Sequence, residues 1–116
     1  MITYVGDSVM CSIAGKLDMD NETQVRHALD EALAPRPALV AVELSGVQLF
    51  TSSALNALLA ARLASLSHGI PIVLAAPSRM ARSVLEITQV DQVFSVYPAL
   101  EQALRHSRGG REAPAV

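Results

Sequence analysis

Residues 39–66 read LVAVELSGVQLFTSSALNALLAARLASL, and their order decides the fold. An apolar run begins at Leu39-Val40-Ala41-Val42 and ends in Glu43-Leu44-Ser45-Gly46. A short connector comes next, and Thr51-Ser52-Ser53 then opens a long Leu/Ala segment. A run with so little polar alternation suits a strand covered on both faces. Hydroxyl residues ahead of a helical pattern suit its first turn, where a side-chain oxygen can accept from an unpaired backbone N–H. The same place favours an added phosphate, because it is the positive end of the helix dipole. From spacing alone, Ser52 and Ser53 read either as helix caps or as modification sites.

Upstream of this stretch, residues 2–5 and 9–17 read as two strands joined through Gly6-Asp7-Ser8, a hairpin turn. Gly15-Lys16-Leu17-Asp18 closes the second strand, and Asp18 or Asn21 can cap the first helix. Val25, Ala28, Leu29, Ala32 and Leu33 form one stripe of that amphipathic helix, which Pro35-Arg36-Pro37 stops. Downstream, Leu55, Leu58, Leu59, Leu63 and Leu66 mark the second helix, whose alanines allow close packing, and His68-Gly69 ends it. Residues 70–76 form a third inner strand, and Pro77-Ser78 starts a short helix with Ala81, Val84 and Leu85 on one face. Residues 93–97 make a last strand, and Pro98 opens a closing helix that runs to about Ser107.

The fold expected is α/β: a mixed central β-sheet of about five strands, the first pair antiparallel, with about four α-helices mainly on one face. One domain spans residues 1–107, and 108–116 has the composition of a flexible tail.

Composition narrows the function. A chain of 116 residues, half of them apolar, can bury roughly two-thirds of its unfolded surface without metal or disulfide. A formal net charge of −2 offers no attraction for nucleic acid or an anionic membrane. The single cysteine excludes an internal disulfide and a cysteine-based zinc cluster. The N-terminus lacks the pattern of a signal peptide, and no apolar run nears the roughly 20 residues that span a bilayer. A cytoplasmic protein is expected, with no membrane partner.

Catalytic chemistry finds no footing. His27, His68 and His106 stand at no metal-ligand spacing, and both phosphate-loop motifs and the G-x-S-x-G elbow are absent. Asp18, Asp20 and Glu22 suit the start of a helix better than a cation site, and Cys11 suits a buried strand. Neither an enzyme, a cofactor nor a metal is expected.

Three motifs carry a resemblance. Gly15-Lys16-Leu17-Asp18 is similar to the G-x-L-D of STAS domains, and Val42-Glu43-Leu44-Ser45-Gly46-Val47 to their V-x-L-x-x-V strand end. Phe50-Thr51-Ser52-Ser53-Ala54-Leu55 resembles the D-S-S-G-L segment of the same family. Almost all of residues 1–107 is covered, and the nearest likeness is to single-domain anti-sigma factor antagonists of bacteria.

The resemblance implies a partner switch. In that family the antagonist docks on an anti-sigma factor with serine kinase activity and so frees a sigma factor. Phosphorylation of the first serine releases the antagonist, and a phosphatase resets it. That serine corresponds to Ser52, with Ser53 and Thr51 as alternative acceptors. Asp18, Asn21, Ser45, Thr51, Ser52, Ser53 and Asn56 fall on the implied docking surface. Thr51 stands where the family has aspartate, and Ala54 where it has glycine. Loss of that carboxylate and an added methyl on a docking face favour an alternative, a STAS module that binds a protein or small ligand without phosphorylation. A small enzyme would need Asp18, Glu43 and Ser52 to converge at the strand ends.

Overall fold

A computed structural model describes residues 1–106. The strands are β1 (Ile2–Val5), β2 (Ser8–Ser12), β3 (Gly15–Leu17), β4 (Leu39–Glu43), β5 (Val47–Phe50), β6 (Ile72–Ala75) and β7 (Val96–Tyr97). The helices are α1 (Glu22–Leu33), α2 (Ser52–Ser67), α3 (Arg79–Ile87) and α4 (Leu100–Leu104).

Five strands make the main sheet in the order β1-β2-β4-β6-β7. Only β1 and β2 are antiparallel; the remaining neighbours run parallel. Strand β4 shows why its sequence is apolar without alternation. Val40 and Val42 join the core that contains α1, α2 and α3, whereas Leu39 and Ala41 pack against Ala103 of α4 and its neighbours Leu100 and Leu104. Period-2 geometry sends successive side chains to opposite faces, and both faces are covered. Three helices therefore lie on one face and one on the other, which agrees with the expected architecture.

Several expectations need correction. Residues 9–17 are not one strand: β2 ends at Ser12, and Gly15, at φ +90°, turns the chain out of the main sheet. Residues 15–17 instead form β3, which pairs in parallel with β5, a strand hidden in what reads as a connector. Within residues 93–97 only Val96 and Tyr97 are extended; a 3-10 turn at Val90–Gln92 precedes them. The closing helix begins at Leu100, after Ala99, rather than at Pro98. On α2 the leucine stripe is misplaced, since Leu63 and Leu66 are 69% and 57% exposed. The buried face is Ala54, Leu55, Ala57, Leu58, Ala61 and Ser65, mostly small side chains that let the helix lie close to its neighbours. The expected end of α4 at Ser107 and the tail at 108–116 lie outside the described residues.

Candidate functional site

The two-stranded sheet β3–β5 positions the site. Leu17 lies opposite Phe50 at its end, so Asp18 and Thr51 are the next residues out on adjacent chains. Thr51 binds the Leu17 carbonyl twice, through its backbone N–H at 3.0 Å and its Oγ1 at 2.8 Å. Thr51 also holds the N-cap position of α2, yet its hydroxyl makes no cap bond, because it is already given to Leu17. The first turn of α2 is thus pinned to the end of β3. Ser52, the first helical residue, is exposed, and Ser53 is half-buried. Asn56 is exposed one turn further along, and four-residue spacing puts it on the same side of the helix as Ser52.

The polar residues around this point have definite local tasks. Asp18 is half-buried and accepts from the Asp20 N–H at 3.1 Å, capping the short turn Met19–Asn21. Asn21 donates its side-chain amide to the Lys16 carbonyl, which fastens the same turn to β3. Ser45 is exposed, and its N–H donates to Glu43 Oε2 at 3.3 Å. Glu43 Oε1 accepts from Ser12 Oγ at 3.1 Å, so this carboxylate holds the ends of β2 and β4. Asp18 and Glu43 each serve backbone or neighbouring strands, not a shared catalytic point with Ser52. Glu22 of the supposed cation cluster pairs with Arg26 at 2.8 Å.

Ala54 corrects another expectation. Its methyl is buried in the core with Leu55 and Leu58 and does not stand on the exposed surface beside Ser52. Among the other candidates, burial pushes the Cys11 thiol up to about 11, with a lesser rise from the Glu31 carboxylate against a lowering by the N-terminal amine. Such a thiol is a packing group, not a nucleophile. His106 Nδ1 is 2.6 Å from the Tyr97 hydroxyl, and His27 stands 3.9 Å from Glu31.

Two residues at this end went unnoticed in the sequence. Met19 is 76% exposed on the capped turn, and Leu49 is partly exposed on β5. Val47-Gln48-Leu49-Phe50 carries the β-branched and aromatic residues of a strand, and that signal marks β5. Its burial is not alternating, with Gln48 and Leu49 both outward, which is why no strand period is visible.

A family model described as "Mlab, STAS domain" matches residues 2–107. The chain belongs to the STAS domain family. This STAS domain is 27% identical over 100 residues to the anti-sigma-F factor antagonist RsfB of Mycobacterium tuberculosis, covering 86% of this chain and 81% of RsfB. An anti-sigma factor antagonist from Mycobacterium paratuberculosis superposes with a TM-score of 0.76 at 25% identity, over 90% of this chain and 88% of that one. A putative anti-sigma factor antagonist from Thermotoga maritima gives 0.80 at 20% identity, over 93% of each chain. Among the described residues, no helix of the STAS domain is long and apolar enough to cross a membrane.

Proposed function

We propose that this STAS domain is an anti-sigma factor antagonist whose docking on an anti-sigma factor with serine kinase activity is controlled by phosphorylation of Ser52. The observation that carries this reading is the exposed Ser52 at the first turn of α2, on an end of the molecule where Asp18 and Thr51 are also presented. Its relatives bear the name anti-sigma factor antagonist, which supports the partner class.

The mechanism rests on charge. In the unmodified protein the Asp18–Asn21 turn, Ser45 and the face carrying Thr51, Ser52, Ser53 and Asn56 form the docking surface. Transfer of a phosphoryl group from ATP to Ser52 Oγ adds about 1.5 to 2 negative charges and three acceptor oxygens. Beside Asp18, in a face that a partner must desolvate, that charge opposes docking. The free protein tolerates it, because an anion at a helix N-terminus gains about 0.3–1 kcal/mol. Release therefore needs no unfolding, and a phosphatase restores the docking face.

Ser52→Asp should weaken binding to the anti-sigma factor about tenfold or more while leaving the circular dichroism spectrum unchanged. Equal affinity of the two proteins would refute the switch. Intact mass after incubation with the kinase and ATP gives the second check: one phosphate on the native chain and none on Ser52→Ala. Thr51 favours the alternative reading, a STAS module without phosphorylation, because its hydroxyl is spent on Leu17 and no carboxylate stands at that position. Unmodified Ser52 together with retained partner binding would establish that alternative.

A further inference from the structure

The two edges of the main sheet differ. At one edge β7 is only two residues long, and so short an edge offers little for another chain to pair with. At the other, β1 is the four-residue run Ile2-Thr3-Tyr4-Val5, without a charge or a proline and in unbroken register with β2. Charges, prolines and bulges are the usual means by which an edge strand avoids pairing with another chain, and β1 has none of them. Its side chains are also outward: Tyr4 is 65% exposed, Val5 40%, and Thr3 is exposed as well.

The ladder shows which backbone groups of β1 are open. The Met1 amino group donates to the Ser12 carbonyl at 2.9 Å, and the Ser12 N–H donates to the Met1 carbonyl at 2.8 Å. Bonded and non-bonded pairs alternate along an antiparallel ladder, so Thr3–Met10 and Val5–Ser8 are the next bonded pairs. Ile2 and Tyr4, which alternate with them, turn their N–H groups and carbonyls away from β2. No other strand pairs with β1 among the described residues.

This pattern is self-complementary. We propose that β1 pairs antiparallel with β1 of a second copy of the chain, about a two-fold axis at Thr3, and so joins the two main sheets. In that register Ile2 of each copy exchanges both backbone bonds with Tyr4 of the other, and every open group on these two residues finds a partner. Thr3 meets its own counterpart on the axis as a non-bonded pair, where side chains stand closest, and Ile2 sets a β-branched side chain against the Tyr4 ring. No like charges face each other on β1, and a formal net charge of −2 per chain adds little long-range repulsion. Area sets the strength. A four-residue edge falls well short of the roughly 800 Å² per partner of a standard stable interface, so the dimer is weak and reversible. Ser52 has no part in this pairing, and the dimer would stand if the phosphorylation switch failed.

Sedimentation equilibrium of the full chain up to about 1 mM should give a reversible dimer with a Kd on the order of 0.1 mM. Amide shifts that follow concentration should concentrate at residues 2–5 and spare Leu63 and Leu66, the exposed apolar pair on α2. Tyr4→Pro removes an outward N–H that β2 does not use, so the hairpin should persist in the amide spectrum while dimerisation weakens about tenfold or more. The axis has a test of its own. Thr3→Lys and Thr3→Glu each place like charges directly opposite one another, and each alone should weaken self-association about threefold to tenfold. Mixed in equal amounts, these two proteins should recover at least the native affinity. A chain monomeric at about 1 mM, a dimer whose shifts fall on Leu63 and Leu66 instead, or a mixture no tighter than its parts would overturn the assignment.

Discussion

Thr51 shows how one hydroxyl can set the geometry of a surface. A carboxylate at this position could accept bonds but could not donate to the Leu17 carbonyl, whereas threonine donates at 2.8 Å and leaves its neighbour exposed. Thr51→Val keeps the shape and the backbone bond but removes that donor. The expected cost is about 0.5–1.5 kcal/mol in urea unfolding, with the larger share of amide shift changes at residues 17–18 and 51–53. An unchanged unfolding midpoint would mean that the hydroxyl bond contributes nothing to the pin. The residue-level site was partly legible: the hydroxyl cluster stands out against the apolar residues around it, and Ser52 is exposed as its place required. The direction of Thr51 was not, because its partner is 34 residues away and no local spacing marks it.

Among the elements, the small sheet β3–β5 depends on a close approach that only glycine permits. A Cβ on Gly46 would lie 2.8 Å from the Ala14 Cβ, and the Gly46 carbonyl accepts from the Gly15 N–H at 2.9 Å. Gly46→Ala should therefore destabilise the domain by about 1–3 kcal/mol, seen as a lower Tm, and Ala14→Gly in the same chain should recover part of the loss. Equal Tm for Gly46→Ala and the native chain would show that the contact relaxes freely. The same elements explain where sequence reading failed. Continuous apolar runs identified β4 and β6, but a three-residue strand and a four-residue strand that pair only with each other carry too short a pattern. On α2, alanine and leucine fall on both sides of the helix, so bulk alone could not say which side meets the sheet; packing distance favoured the alanines.

For the whole molecule, stability should respond to alkali through Cys11. Its thiol is raised from 9.0 to about 11 in the folded state, so the native protein holds this proton where the unfolded chain loses it. The stabilisation is complete below pH 9 and disappears as pH rises through about 11. Thermal unfolding followed over that interval should give a steeper decline for the native chain than for Cys11→Val, and parallel curves would exclude the effect. The overall architecture was the most legible level, since alternating apolar runs and amphipathic stripes leave few ways to cover both faces of β4.

The pair of hydrogen bonds from Thr51 to the Leu17 carbonyl has a kinetic corollary for the switch proposed at Ser52. If Ser52 is phosphorylated as proposed, the mark would be written and erased on a turn that these two bonds already hold to the end of β3. The tempo of such a cycle would then belong wholly to the enzymes that act on it, and the domain itself would behave as a rigid token passed between them.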